Sequence, residues 1–196
     1  MNLPAFEDFD PLYDEAALAA RIKALGEEIS RDVANDSDNL VLVCVLKGAM
    51  VFMADLMRHL PTSVTCDFLR LSSYSGTQST GRVRFDFDLT QPIKGKDVLI
   101  VEDIVDTGRS MHFLLKALEA REPKSLSICT LLDKPARRVK QVPIRYTGFS
   151  IEDRFVIGYG LDLEGRYRNL PYIAALRPEI EAALAGKSSE DALIED

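Results

Sequence analysis

The sequence predicts an α/β domain, built as a doubly wound and mostly parallel sheet flanked by helices. Three short runs carry that expectation: LVLVCVL (40–46), DVLIVE (97–102) and SLSICTLL (125–132). They are apolar without alternation, the pattern of strands covered on both faces. The first two run into glycine turns, Lys47-Gly48 and DIVDTG (103–108), and then into helix formers at 49–59 and 109–120. Ligands in such sheets sit at the carboxyl ends of strands, near a switch in strand order. Both glycine turns are therefore candidate site positions.

Taken in order, Asp10-Pro11 reads as a helix start. Leu18, Ile22, Leu25, Ile29 and Val33 follow at intervals of three or four residues, one apolar face of an amphipathic helix. NDSDN (35–39) ends it. Two further strands are expected at 64–74 and 82–88. In the second, Val83, Phe85 and Phe87 alternate with Arg82, Arg84, Asp86 and Asp88. Between them SGTQSTG (75–81) is small and polar, which by composition alone suits an ordinary hairpin loop better than a lid. Short strands follow at 146–151 and 154–160, then a polar segment and LPYIAAL (170–176). Residues 185–196 read as a disordered acidic tail. One domain over 1–196 is expected, with a core of about 35–150 and a small cap from about 1–15 and 151–180.

With 46% hydrophobic residues in 196, burial can outweigh chain entropy. No apolar stretch approaches the roughly 20 residues that cross a bilayer, and the acidic start MNLPAFEDFD carries no leader pattern. No membrane association is expected. Cys44, Cys66 and Cys129 each lie in a strand-like run and suit buried thiols in a reducing cytoplasm. The net charge of −7 argues against nucleic acid as a partner.

The most informative stretch is VLIVEDIVDTGRS (98–110). An apolar strand runs into Glu102 and Asp103, and adjacent carboxylates there are costly unless hydrated or matched by donors or a cation. A vicinal diol with a metal ion nearby would satisfy them, and Mg2+ prefers oxygen ligands. Asp106-Thr107-Gly108-Arg109-Ser110 then opens a helix whose N–H groups, hydroxyls and dipole make a monophosphate cradle. Neither a GxxxxGK[ST] loop nor a GxGxxG fingerprint is present. Taken singly, the acid pair reads as a solvated strand end and DTG as a helix cap.

The whole string VEDIVDTGRS resembles the phosphoribosyl pyrophosphate motif of type I phosphoribosyltransferases, with Ser110 where Thr is commoner. That resemblance implies that Glu102 and Asp103 hold the ribose hydroxyls, with Mg2+ nearby, and that Asp106, Thr107, Gly108, Arg109 and Ser110 bind the 5′-phosphate. From roughly residue 8 to 176 the chain is similar to the hypoxanthine–guanine branch. LKGA (46–49) resembles the branch's pyrophosphate loop, implying pyrophosphate contacts from Lys47 and Gly48 and a cis Lys47-Gly48 peptide. Ala49 stands where a second Gly is frequent, which bears on whether a positive φ is needed there. SSYSGTQSTG (72–81) is similar to the flexible loop that covers the site, with Ser73-Tyr74 as the covering dipeptide. The resemblance therefore favours the lid.

By the same resemblance Lys134, in LLDKPARR (131–138), donates to the purine O6 and N7 edge and selects 6-oxopurines. In RFVIGYGLDLEGRYRNLPY (154–172), Phe155 would stack on the base and Val156 would offer backbone hydrogen bonds. Asp162, also in the purine region, would ligate a second Mg2+, and Arg168 would contact pyrophosphate. The cap becomes a hood over the active site, and a homodimer or homotetramer is implied. The expected activity is a Mg2+-dependent transfer of phosphoribose to N9 of hypoxanthine and of guanine, with Asp106 as general base for the N7 proton. Two other readings stay open: a regulator of the same fold that binds nucleotide or RNA, and an enzyme preferring xanthine or guanine. The acidic charge and the retained acids, base and lid weigh against the regulator.

Overall fold

The computed structural model describes residues 4–33, 39–60, 63–73 and 83–183. Tyr74, the 75–81 loop and the 185–196 tail, to which the sequence assigned a lid and a disordered end, lie outside the described residues.

The unbroken apolar runs form the middle of the main sheet. β2 (Leu40–Leu46), β5 (Asp97–Val105) and β6 (Ser125–Asp133) are parallel neighbours. β3 (Thr65–Ser73) and β7 (Ile144–Ser150) extend the parallel set, and β4 (Val83–Phe87) closes one edge antiparallel to β3. The order is β4-β3-β2-β5-β6-β7. From β2 the chain passes through α2 (Met50–Met57) outward to β3, and from β5 through α3 (Arg109–Glu119) outward to β6. The winding direction thus reverses between β2 and β5, so the switch point lies where the Lys47-Gly48 and Asp106–Ser110 turns begin.

Each sheet face has its own cover. Met111, Leu114, Leu115 and Leu118 of α3 join Val41, Val43, Val45, Val98 and Ile100 in one cluster. The alternate residues Leu42, Cys44, Leu99 and Val101 are equally buried and point to the other face, where α2 packs against β2 and β5. Fully burying one such side chain contributes roughly 1.5–3 kcal/mol. Burial also pushes the Cys44 thiol up to about 12, so it behaves as a protonated core residue. Among the described residues, no helix is long and apolar enough to cross a membrane.

The chain divides into two compact units, 19–153 and a second made of 1–18 with 154–196. The second holds a three-stranded antiparallel sheet, ordered β1 (Phe9–Tyr13), β9 (Ile173–Leu176), β8 (Val156–Ile157). Here one expectation fails: Asp10-Pro11 does not start a helix. Pro11 sits in β1, an edge strand where its missing N–H is tolerated. α1 (Glu15–Val33) starts later, after Asp14, whose Oδ1 accepts the Ala17 N–H at 2.8 Å. The strand expected over 154–160 shrinks to Val156–Ile157, because Gly158, Tyr159 and Gly160 all take positive φ and turn the chain away.

Candidate active site

β5 continues past the acids. Glu102 pairs with Thr130 and Val105 with Asp133 on the β6 side, whereas pairing with β2 stops at Cys44 opposite Val101. The reason lies in β2, which ends at Leu46 and turns off through Lys47 and Gly48. Glu102 and Asp103 are therefore strand residues held on one flank and facing the glycine turn on the other. Gly48 is needed for that approach: a Cβ there would overlap the Asp103 carboxylate. The cis bond lies at Leu46–Lys47, one residue before the Lys47-Gly48 bond expected from the motif. The motif marks the turn without saying which of its peptides is reversed. Ala49 has φ −75°, so the absent second glycine requires nothing unusual.

Glu102 Oε2 is buried with no hydrogen-bond partner. Burial first, and then the Asp103 charge and a hydrogen bond with Asp103, hold the Glu102 carboxyl well above the ordinary glutamate range. Asp103 Oδ1 accepts the Ile104 N–H at 2.7 Å. An orphaned carboxylate oxygen beside a second carboxylate is a donor set that fits a hard, oxygen-seeking cation. No group of three or more candidate ligand side chains forms among the described residues. Mg2+ is such a cation, taking one or two carboxylates and filling its remaining positions with water and phosphate oxygens.

The next turn is clamped from behind. The Val139 and Lys140 N–H groups both donate to the Thr107 carbonyl, at 2.9 and 3.0 Å. Gly108 has φ 78°, and a Cβ on it would strike the Lys140 carbonyl oxygen. This glycine caps α3 with no side-chain hydrogen bond, while Arg109 and Ser110 are exposed. The Arg109 N–H meets only the Thr107 Oγ1, at 3.4 Å. An uncapped helix start with open amides and a hydroxyl is what a phosphate monoester needs. Asp106, at the head of the turn, keeps its Oδ1 buried without a hydrogen bond.

Lys134 follows β6 directly. At 6% exposure it is no solvated surface lysine; its N–H donates to the Val105 carbonyl at 3.0 Å and its Nζ lies 3.8 Å from Asp153 Oδ1. Four neighbours, Asp133, Arg137, Arg138 and Asp153, went unnoticed in the sequence. Arg138 pairs with Asp133 and donates to the Val105 carbonyl, while Arg137 approaches both Asp106 and Asp153. The only hint was the run of cations Lys134, Arg137 and Arg138.

Lys47, Gly48, Glu102, Asp103, Asp106–Ser110 and Lys134 thus gather at the carboxyl ends of β2, β5 and β6. Ser73 ends β3 opposite Val83. The remaining expected residues belong to the other unit. There Arg168 Nη2 pairs with Asp162 Oδ1 at 2.6 Å and Nη1 donates to the Gly160 carbonyl at 2.6 Å. Asp162 Oδ2 accepts the Gly165 N–H at 2.7 Å. Phe155 packs beside Phe9, Ile157 and Leu176, and Val156 lies opposite Ala175 in the edge strand β8.

Residues 8–164 match the phosphoribosyl transferase domain family. The hypoxanthine phosphoribosyltransferase of Escherichia coli strain K12 is 51% identical over 160 residues, covering 81% of this chain and 90% of that protein. The hypoxanthine-guanine-xanthine phosphoribosyltransferase of Tritrichomonas foetus is 42% identical over 179 residues, 90% of this chain and 97% of that one. A crystal structure of a hypoxanthine phosphoribosyltransferase from Staphylococcus aureus superimposes with TM-score 0.84 at 43% identity, covering 92% and 98% of the two chains. The switch-point sheet, the acids in β5 and the glycine turn after them lie inside the matched span, and the chain belongs to the phosphoribosyltransferase family.

Proposed function

We propose that this chain is a purine salvage enzyme that transfers the 5-phosphoribosyl group from phosphoribosyl pyrophosphate to N9 of hypoxanthine and of guanine. The products are IMP or GMP and pyrophosphate. One observation carries the reading: a buried, unpartnered Glu102 oxygen stands beside Asp103, immediately before an uncapped helix start. Hydroxyls and a cation answer the first need, and a phosphate answers the second.

In this reading Glu102 and Asp103 grip the ribose 2′ and 3′ hydroxyls. The amides and hydroxyls of Thr107 to Ser110 hold the 5′-phosphate. Lys47, the Gly48 amide and Arg168 face the pyrophosphate, where charge grows as the bond to C1′ breaks. Mg2+, held near Glu102 and Asp103 and at a second position by Asp162, would neutralise pyrophosphate oxygens. N9 bonds to C1′ as the N7 proton passes to Asp106. Lys134 donates to O6, which favours a carbonyl over the amino group of adenine. Phe155 stacks on the base, the Val156 backbone meets its pyrimidine edge, and Ser73-Tyr74 close over the site.

Hypoxanthine, guanine and xanthine differ at C2, so the order of preference among them is a matter for competition assays. We further place the enzyme in the cytoplasm, which suits its free cysteines. A homodimer or homotetramer would cover Met50, Met57, Phe68 and Phe87, each more than a third exposed. The test is direct. The protein, hypoxanthine, phosphoribosyl pyrophosphate and Mg2+ together should give the absorbance change of IMP formation. No nucleotide from any 6-oxopurine would overturn the reading.

A further inference from the structure

We propose that Arg137 and Asp153 form a positioning bridge that aims the Asp106 carboxylate and the Lys134 ammonium at one purine edge. The inference rests on the reading of Asp106 and Lys134 given above and adds two residues to it. All four lie within 19–153.

Arg137 Nε stands 3.4 Å from Asp106 Oδ1, and its Nη1 stands 3.7 Å from Asp153 Oδ1. That same Asp153 oxygen is 3.8 Å from Lys134 Nζ. The charges therefore alternate along one chain, Asp106, Arg137, Asp153, Lys134, with the two base-handling groups at its ends. The middle members come from a 3-10 turn, Pro135–Arg137, and from the residues after β7. No strand register brings them together. Their side chains must do it.

Asp106 Oδ1 is buried and accepts no hydrogen bond, so the Arg137 guanidinium is the charge that compensates it. This leaves Oδ2 as the oxygen open to a ligand proton. At the other end, a nearly buried ammonium on four rotatable bonds needs a counter-charge to hold one direction. Asp153 is that group. A guanidinium suits the central place because its planar fork can face two carboxylates at once, whereas an ammonium is a point charge.

Stability is a poor explanation of the bridge. Arg137 and Asp153 are 47% and 53% exposed, and exposed pairs add little to folding. Their effect should appear in turnover, because small misplacement of a reacting group is costly there.

The test is a double-mutant cycle on the full chain, with melting temperature measured alongside. Arg137→Ala should lower kcat about 5- to 20-fold, with KM for phosphoribosyl pyrophosphate unchanged and melting within a few degrees of wild type. Arg137→Lys should restore part of the loss. In an Asp106→Asn background, Arg137→Ala should cost less than about 2-fold more, because a residue acting through Asp106 has nothing left to aim. Asp153→Ala should raise KM for hypoxanthine several-fold while sparing KM for phosphoribosyl pyrophosphate. Fully multiplicative losses in the double variant, or a wild-type kcat in Arg137→Ala beside a slow Asp106→Asn, would overturn the bridge alone. A wild-type rate in Asp106→Asn would remove both the bridge and the base it serves.

Discussion

Two acidic side chains in the same sheet are supplied with donors in opposite ways. Asp67, in β3, is 3% exposed, and its carboxylate is well served. Oδ2 accepts the Thr90 and Gln91 N–H groups at 2.8 and 3.0 Å, and Oδ1 accepts the Phe68 N–H at 2.8 Å and the Thr90 hydroxyl at 3.2 Å. Glu102, in β5, has an oxygen equally shut off from solvent and nothing donating to it. Folding alone accounts for Asp67, which pins the segment after β4. It does not account for Glu102, whose burial is unfavourable until something else arrives. The same residue chemistry thus separates a structural acid from the acid proposed to bind a ligand by its supply of partners.

That contrast can be broken experimentally. Asp106 also keeps an orphaned oxygen, and Asp106→Asn should lower kcat by about 10²–10⁴-fold while leaving phosphoribosyl pyrophosphate affinity nearly intact. Steady-state and equilibrium binding measurements check both halves. Gly48→Ala forces a methyl group into the Asp103 carboxylate, and a shift of that size should reduce kcat/KM by roughly 10²-fold in a protein with normal circular dichroism.

Glu102→Gln removes a charged acceptor, worth about 1.5–3 kcal/mol, so KM for phosphoribosyl pyrophosphate should rise about 10- to 100-fold. Its stability should move the other way. A carboxyl held above its ordinary value of 4.5 binds its proton more tightly in the folded state, so without metal its contribution is fully present below that pH and is lost as pH rises. Melting scans on metal-free protein should show this downward slope in the wild type and not in Glu102→Gln, which should melt no lower than wild type near neutrality. Asp67→Ala should reverse the pattern. It leaves buried donors unanswered, costing about 1–3 kcal/mol in denaturant titrations, with kcat nearly unchanged. A kinetic defect there as deep as that of Glu102→Gln would erase the distinction.

Much of this was legible before any coordinates. LVLVCVL could be little other than a strand covered on both faces, and it is β2 from end to end. The thirteen residues from Val98 to Ser110 located the acids and the glycine turn, because a strand, a pair of carboxylates and a glycine turn are all local patterns. Pro11 misled, because a proline suits a helix start and an edge strand equally well, and only the pairing with β9 decides between them. The overrun of β5 to Val105 was hidden for a related reason: strand ends depend on neighbours, and β6 keeps pairing after β2 has turned away. The Asp106–Arg137–Asp153–Lys134 chain left no periodic trace, since Lys134 and Arg137 share one turn and reach Asp106 and Asp153 only through side chains.

The clamp on the Thr107 carbonyl reaches beyond its own turn. Two amides from the segment after Lys134 hold that carbonyl, so the loop proposed to meet the sugar's 5′ end and the loop proposed to read the base are joined as one stiff piece. Quieting either one lowers the entropy that the other has left to lose. The two substrates should then help each other to bind, and thermodynamic reciprocity makes the factor the same in both directions.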